Sequence, residues 1–233
     1  MRVNQRTGSS AFSQVIYFKP GEIDRMCEAE LRKANCLPDT PQSVDVELFI
    51  EKHFGCTIDF SDIAEGVLGF TFFDKNGKPQ VVGVSPSLDD GTATGRRRTR
   101  STFAHEAGHC MMHPILFMEN STPSLLGQNL DFEQKRILCR DSDLQNTKAQ
   151  YNGRWWEYQA NCAIGGFLLP KGLVMTATEG FLTPAGLLGI KVLPELQRET
   201  AARNISEVFD VSLAVARIRL TQIYPAETQE ILL

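Results

Sequence analysis

The chain has 233 residues, 42% of them apolar, enough for one compact domain or one domain with a small appendage. Its net charge of −4 and isoelectric point near 5.6 exclude general affinity for nucleic acid or an anionic membrane surface, though not a local basic patch. The six cysteines at 27, 36, 56, 110, 139 and 162 form no Cys-x-x-Cys pair, so reduced thiols are expected rather than a disulfide framework or a cysteine-based zinc site. With no signal-like apolar run in "MRVNQRTGSSAFSQVIYF" and no stretch long enough for a bilayer, the expectation is a cytoplasmic protein that contacts no membrane.

Residues 1–13 are small and polar and predict no firm structure. In "EIDRMCEAELRKA", residues 22–34, apolar positions 23, 26, 27 and 31 predict an amphipathic helix. "CLPDTPQS" breaks it, and its two prolines mark a boundary. "VDVELFIEKHFG" predicts a second helix, with Ser43 as N-cap and Gly55 as stop, and leaves His53 a structural residue at its end. "TIDF" and "GVLGFTFFD" predict strands, and the Asn-Gly of "DKNGKP" predicts a hairpin returning through "QVVGVSPS". "SPSLDDGTATGRRRTR" is taken as the connection to the next helix. Residues 119–153 are polar apart from "FEQKRILC" and are taken as a long, partly ordered insertion loop. "WWEYQANCAIGGFLL" is helical up to Pro170, and two or three helices are expected from "LPELQRETAARNISEVFDVSLAVARIRLTQIY".

The stretch "STFAHEAGHCMMH", residues 101–113, carries His-Glu-x-x-His. On a helix, positions i and i+4 share a face, so His105 and His109 can present two imidazoles to one ion. Ala107 and Gly108 leave room for another element to come close. Glu106 lies one step round the helix, within reach of a water on that ion but outside its ligand shell. A metal that activates water and a carboxylate that takes its proton are what amide hydrolysis needs. A catalytic zinc site wants three protein ligands. His113 is a poor third, because two further turns of straight helix carry it ~12 Å from His105; a pocket-wall or helix-end role suits it. Glu157, an acid at the start of an apolar helix, is the better third ligand. Asn161 follows at i+4, placed to hydrogen-bond a ligating imidazole. Gly165 and Gly166 are expected to let this helix pack against the His-Glu-x-x-His helix. Cys110 and Cys162 lie on the two motif helices, with buried packing as their expected role. Tyr151 and Tyr158 are candidates to donate a hydrogen bond to a developing oxyanion. Two imidazoles and a carboxylate suit zinc, with manganese or iron possible.

"RTRSTFAHEAGHCMMH" and "EYQANCAIGGFLLP" together resemble the ImmA/IrrE-type metallopeptidases of bacteria and their mobile elements. The interval from Glu157 to Pro170 fits that family's spacing, and "ISEVFDVSLAVARIRL" resembles its C-terminal helices. The resemblance implies an α+β, zincin-like fold with a small antiparallel sheet, an HExxH helix and a C-terminal helical segment. It implies zinc on His105, His109 and Glu157, with Glu106 as general base. It also implies a limited cut in a protein partner, a helix-turn-helix repressor. Residues 1–40 are then an N-terminal extension with one helix, 41–190 the metallopeptidase domain containing the 119–153 insertion, and 191–233 a helix-turn-helix-like segment. Ala163 departs from the family, standing where an aromatic is common.

Three rivals differ in class: a binding module that sequesters its partner without cutting it, a metal hydrolase for short peptides, and a DNA-binding regulator using the C-terminal helices. "GRRRTR", residues 95–100, is expected as a solvated loop before the helix, with grip on an acidic substrate stretch as the functional alternative. The C-terminal pair, with Val211 and Ser212 at its turn, offers a second helix too apolar for reading a DNA groove, so no direct nucleic-acid contact is expected. Neither the partner's identity nor the oligomeric state is legible in the sequence.

Overall fold

The computed structural model describes residues 2–5, 14–61, 63–117, 130–131, 136–140, 154–185 and 189–225. The first strands, β1 (Arg2–Gln5) and β2 (Gln14–Tyr17), form an antiparallel pair. Helix α1 (Pro20–Lys33) starts with proline, where no intrahelical donor is lost, and Glu22 accepts from the Lys19 backbone N–H. Its buried residues Ile23, Cys27 and Leu31 recur every four positions, as the amphipathic pattern predicts. They join the same core as the two motif helices.

The short helix α2 (Val46–Phe49) runs into a π-helical turn (Ile50–Phe54), ending at Gly55 with φ of 67°. Asp45, not Ser43, caps it, accepting from the Leu48 N–H. His53 is structural: it stacks on Phe49 and its Nε2 meets Glu30 at 2.7 Å. Strands β3 (Thr57–Asp59), β4 (Val67–Phe73) and β5 (Pro79–Val84) follow, with Asp74 accepting from the Asn76 and Lys78 N–H groups across the Asn-Gly turn. Two later strands, β6 (Leu130–Asp131) and β7 (Arg136–Arg140), complete a five-stranded sheet of order β3-β5-β4-β7-β6. The sheet is mixed, because β3 runs parallel to β5 while the other pairs are antiparallel. It is also not finished before the His-Glu-x-x-His helix. The apolar patch at 136–139 is a strand paired along the central β4, so the 119–153 segment supplies part of the sheet.

Helix α3 (Ala93–Met112) is capped by Thr92, which accepts from the Gly95 N–H. The basic run 95–100 therefore lies inside this helix and is not a loop. Its arginines grip an acid of the chain itself. Arg96 and Arg97 bond to the Asp210 carboxylate, and Arg100 reaches the carbonyls of Asp210, Phe209 and Val44.

Helix α4 (Trp155–Leu168) stops before Pro170, which opens α5 (Lys171–Thr178). A small hairpin of β8 (Thr183–Ala185) and β9 (Ile190–Val192) leads to the C-terminal pair α6 (Glu195–Val208) and α7 (Leu213–Ile223). Asp210 sits in the turn between them at φ of 50°, a left-handed conformation that Asp tolerates better than most residues. On α7, Arg219 is buried, bonding to the Leu169 carbonyl and pairing with Asp24 of α1, while Arg217 pairs with Glu199. That helix is a packing element.

α3 and α4 meet where Gly108 faces Ala160 and Ala163. A Cβ on residue 108 would lie 2.9 Å from Ala163 Cβ and 3.1 Å from Ala160 Cα. Gly165 and Gly166 serve other contacts: Gly166 admits Cys27 of α1, and Gly165 faces Arg219 of α7. All six cysteines are free, and no single helix among the described residues is long and apolar enough to cross a membrane.

Two predictions follow from this packing. Gly108→Ala gains about 1 kcal/mol of helix propensity but crowds α4 backbone, and should lower stability by a net ~1–3 kcal/mol in denaturant titration. Hydrogen bonds from Arg96, opposed by partial burial and aided by Arg97, hold Asp210 at about 2, below its ordinary 3.8. A depressed folded-state pKa stabilises the fold above the ordinary value and loses that effect as pH falls. Asn keeps the turn conformation, so Asp210→Asn should cost on the order of 1 kcal/mol at pH 7. In melts at stepped pH, its gap from wild type should close as pH falls from about 4 to about 2.

Candidate metal centre

α3 carries His105, Gly108 and His109 on one stripe, and α4 carries Glu157, Ala160 and Asn161 on another. Each set is spaced i, i+3, i+4, so the contact that brings the small residues together also brings the polar ones together. His105 Nε2 lies 2.9 Å from His109 Nε2 and 3.1 Å from Glu157 Oε2, and His109 Nε2 lies 3.7 Å from the same oxygen. Donors around a tetrahedral ion with bonds of about 2.0–2.1 Å lie roughly 3.3–3.4 Å apart. The three groups therefore fit a divalent ion, and these buried side chains could hold one.

The outer contacts aim the lone pairs. Asn161 Oδ1 accepts from His105 Nδ1 at 3.0 Å, which leaves His105 Nε2 to face the centre. On the other side a relay runs outward. His113 Nε2 donates to Gln159 Oε1 at 3.2 Å, so His113 Nδ1 accepts from His109 Nδ1 at 2.8 Å. His109 Nε2 is then also free of hydrogen and turned inward. His113 is the C-cap of α3 and packs edge-on against Trp155. It thus orients a ligand rather than joining the shell.

Burial shapes the charges. It pushes the His113 imidazole well below its ordinary value, helped by the neighbouring His109, and lowers His109 too, so the relay is neutral. Burial opposes ionisation of Glu157, but His109 and His105 outweigh it and hold the carboxylate well below the usual range. Burial likewise opposes charge on His105, yet Cys139 and Glu157 outweigh it and lift this imidazole well above its ordinary value. The carboxylate of Glu157 and the inner nitrogens of His105 and His109 are the groups that would hold a divalent ion, whose binding would displace any proton between them.

Glu106 is buried on the sheet side of α3. Thr71 of β4 donates its hydroxyl to Glu106 Oε2 at 2.6 Å. Gly69, two residues earlier on the same strand face, makes room: a Cβ there would stand 3.1 Å from Glu106 Oε1. Cys139 of β7 is the cross-strand neighbour of Gly69, and its thiol forms a tight group with His105 and Glu106. Burial pushes that thiol up to about 12.

The structure therefore brings together His105, Glu106, His109, Glu157, Asn161 and His113. It does not bring Tyr158 to them: that hydroxyl lies by Cys162, and burial and the thiol push it up to about 12. Tyr151 lies outside the described residues. Sequence reasoning missed Thr71, Gln159 and Cys139. Thr71 had one available signal, being the lone hydroxyl in the apolar strand "GVLGFTFF".

If the relay sets the lone pair of His109, His113→Phe should weaken zinc binding by about 10–100-fold in a competition titration while the helical signal persists. Unchanged affinity would show that His109 is oriented without His113.

Compared with protein-family models and with curated proteins, the chain matches none.

Proposed function

We propose that this chain is a metal-dependent endopeptidase of the zincin-like, ImmA/IrrE kind, making a limited cut in a protein partner. The observation that carries this reading is the convergence of His105, His109 and Glu157 at mutual distances of 2.9–3.7 Å, with Glu106 beside them on the same helix. When bound, a zinc ion, or manganese or iron in its place, supplies Lewis acidity that polarises a carbonyl and activates water for attack. Three protein ligands leave one position open for that chemistry.

The chain's own residues do the rest. His105, His109 and Glu157 hold the ion, while Asn161 and the His113–Gln159 pair keep both imidazoles in the ligating tautomer. Glu106 accepts the proton of the attacking water and returns it to the departing amine. Thr71 donates a hydrogen bond to one of the Glu106 carboxylate oxygens and so fixes the group's orientation. The proposed substrate, a helix-turn-helix repressor, rests on the resemblance of the two motif helices and of the α6–α7 pair to that family.

One observation favours a second reading. His105, Glu106, His109 and His113 have no exposure at all, and Glu157 has 3%. A closed site of this kind also suits an ion that only braces a binding module, which would sequester the repressor uncut.

Intact mass of the helix-turn-helix protein encoded nearest to this chain, incubated with it with and without zinc, separates the two. A single zinc-dependent cut is expected, falling by about 10²–10⁴-fold in Glu106→Gln while metal stoichiometry is kept. An uncut partner bound equally by both proteins would favour the binding module. Full cleavage by the variant would remove Glu106 from the mechanism.

A further inference from the structure

We infer that Cys56 and Cys110 form a reversible disulfide when the protein meets a peroxide, tying the edge of the sheet to the helix that carries His105 and His109. This goes beyond the proposed function and rests neither on a bound metal nor on peptidase activity. The register of the sheet brings the two thiols together. Cross-strand partners share a face, and on β4 the face toward α3 is marked by Thr71, which meets Glu106. Thr71 pairs with Val82 of β5, and Val82 pairs with Ile58 of β3, so Ile58 lies on that face too. Cys56, two residues earlier and just ahead of the strand, lies on the same side; it is buried while its neighbours Gly55 and Thr57 are exposed, as alternation requires. On α3, Cys110 stands four residues after Glu106, on the same sheet-facing stripe and one turn further along. There the thiols meet: the Cys110 S–H donates to the Cys56 sulfur, and Cys110 also meets the Thr71 hydroxyl. The other four thiols meet different groups. Cys27 and Cys36 reach the carbonyls of Ala163 and Ala34, Cys139 meets His105, and Cys162 meets the Tyr158 hydroxyl.

The two cysteines differ in role. Cys56 is the nearer to solvent, at 5% exposure against 2% for Cys110, and it adjoins β3, a three-residue strand at the edge of the sheet. The hydrogen bond from Cys110 outweighs burial and, with the charge of Lys78, holds the Cys56 thiol below its ordinary range. The thiolate is the reactive form, so Cys56 is the attacking sulfur and Cys110 the resolving one. In the first step the Cys56 sulfur attacks one oxygen of hydrogen peroxide. The O–O bond breaks, a sulfenic acid forms on Cys56, and the other oxygen leaves as water with the thiol's proton. In the second step the Cys110 sulfur displaces that sulfenic oxygen. The S–S bond forms as the S–O bond breaks, and the oxygen leaves as a second water with the Cys110 proton. The two sulfurs together lose two electrons, and one peroxide is reduced to two waters. The bond pins α3 to the sheet one residue beyond His109.

Titration of the reduced full-length protein with hydrogen peroxide, read by intact mass and by peptide mapping without reductant, tests this. Equimolar peroxide should make the protein lighter by two hydrogen atoms, with the Cys56 and Cys110 peptides joined, and dithiothreitol should restore the original mass. In Cys110→Ala the reaction should stop at a sulfenic acid on Cys56, which dimedone traps. In Cys56→Ala the same dose should leave Cys110 a free thiol. The wild-type map decides the matter even if a variant fails to fold. A disulfide joining other cysteines would overturn the inference. So would oxygen added to Cys56 in wild type with no link to Cys110, or both thiols left unchanged.

Discussion

The close approach of α3 and α4 is the constraint on which the rest depends. Gly108 has no side chain, and the residues facing it are Ala160 and Ala163, so backbone meets backbone with almost nothing between. Because a helix repeats its faces at three and four residues, the stripe that carries the glycine also carries His105 and His109. The stripe that carries Ala160 carries Glu157 and Asn161. Packing and ligand presentation are one requirement. Ala163, where the resembling family often has an aromatic, is the atom nearest to a Cβ on residue 108, so a large side chain there would hold the helices apart.

The polar cluster inside this contact would be costly if it were incomplete. Buried charges and buried imidazoles destabilise a fold unless each finds a partner. Asn161 meets His105, Gln159 meets His113, His113 meets His109, and Thr71 meets Glu106. The partners come from α4, from β4 and from the C-cap of α3. The C-terminal helices contribute at a distance. Asp210 gathers Arg96, Arg97 and Arg100 onto the turn after α6, and Arg219 ties α7 to α1 and to the end of α4. Together they clamp the N-terminal half of α3 and the C-terminal end of α4, leaving the ligand-bearing halves to be set by their mutual contact.

What was legible in the sequence is what helical and strand periodicity encode locally. α1, the β4–β5 hairpin, the two motif helices, the stop at Pro170 and the i+4 relation of Asn161 to Glu157 all follow from spacing within a few residues. What was not legible depends on partners far along the chain. β7 is a short apolar patch in polar surroundings, and only its pairing with β4 makes it a strand. "GRRRTR" looks like a solvated loop, but it lies inside a helix that begins at Ala93, with Arg96 and Arg97 bound to Asp210 more than a hundred residues away. Gly165 and Gly166 announce close contact without saying with what, and they face α7 and α1 rather than α3. Cys139 enters its group with His105 and Glu106 only through the register of the sheet, and the lone hydroxyl of Thr71 in its strand does not say which residue it meets.

His113 shows how a motif can be extended without enlarging the ligand set. Helical rise keeps three histidines at i, i+4 and i+8 from sharing one ion, yet each can touch the next, and here they do. The first two face the centre and the third fixes the tautomer of the second, so one helix supplies both a pair of ligands and half of their orientation. A histidine at a helix C-terminus ordinarily gains a proton from the dipole. Burial and the neighbouring His109 prevail at this one and keep it neutral, and only a neutral His113 can accept the His109 proton that leaves the inner nitrogen bare. The same arrangement serves a hydrolytic ion and a structural one equally well, because both need inward lone pairs. The difference between them lies in the fourth position, beside Glu106, and in whether a molecule of water can reach it.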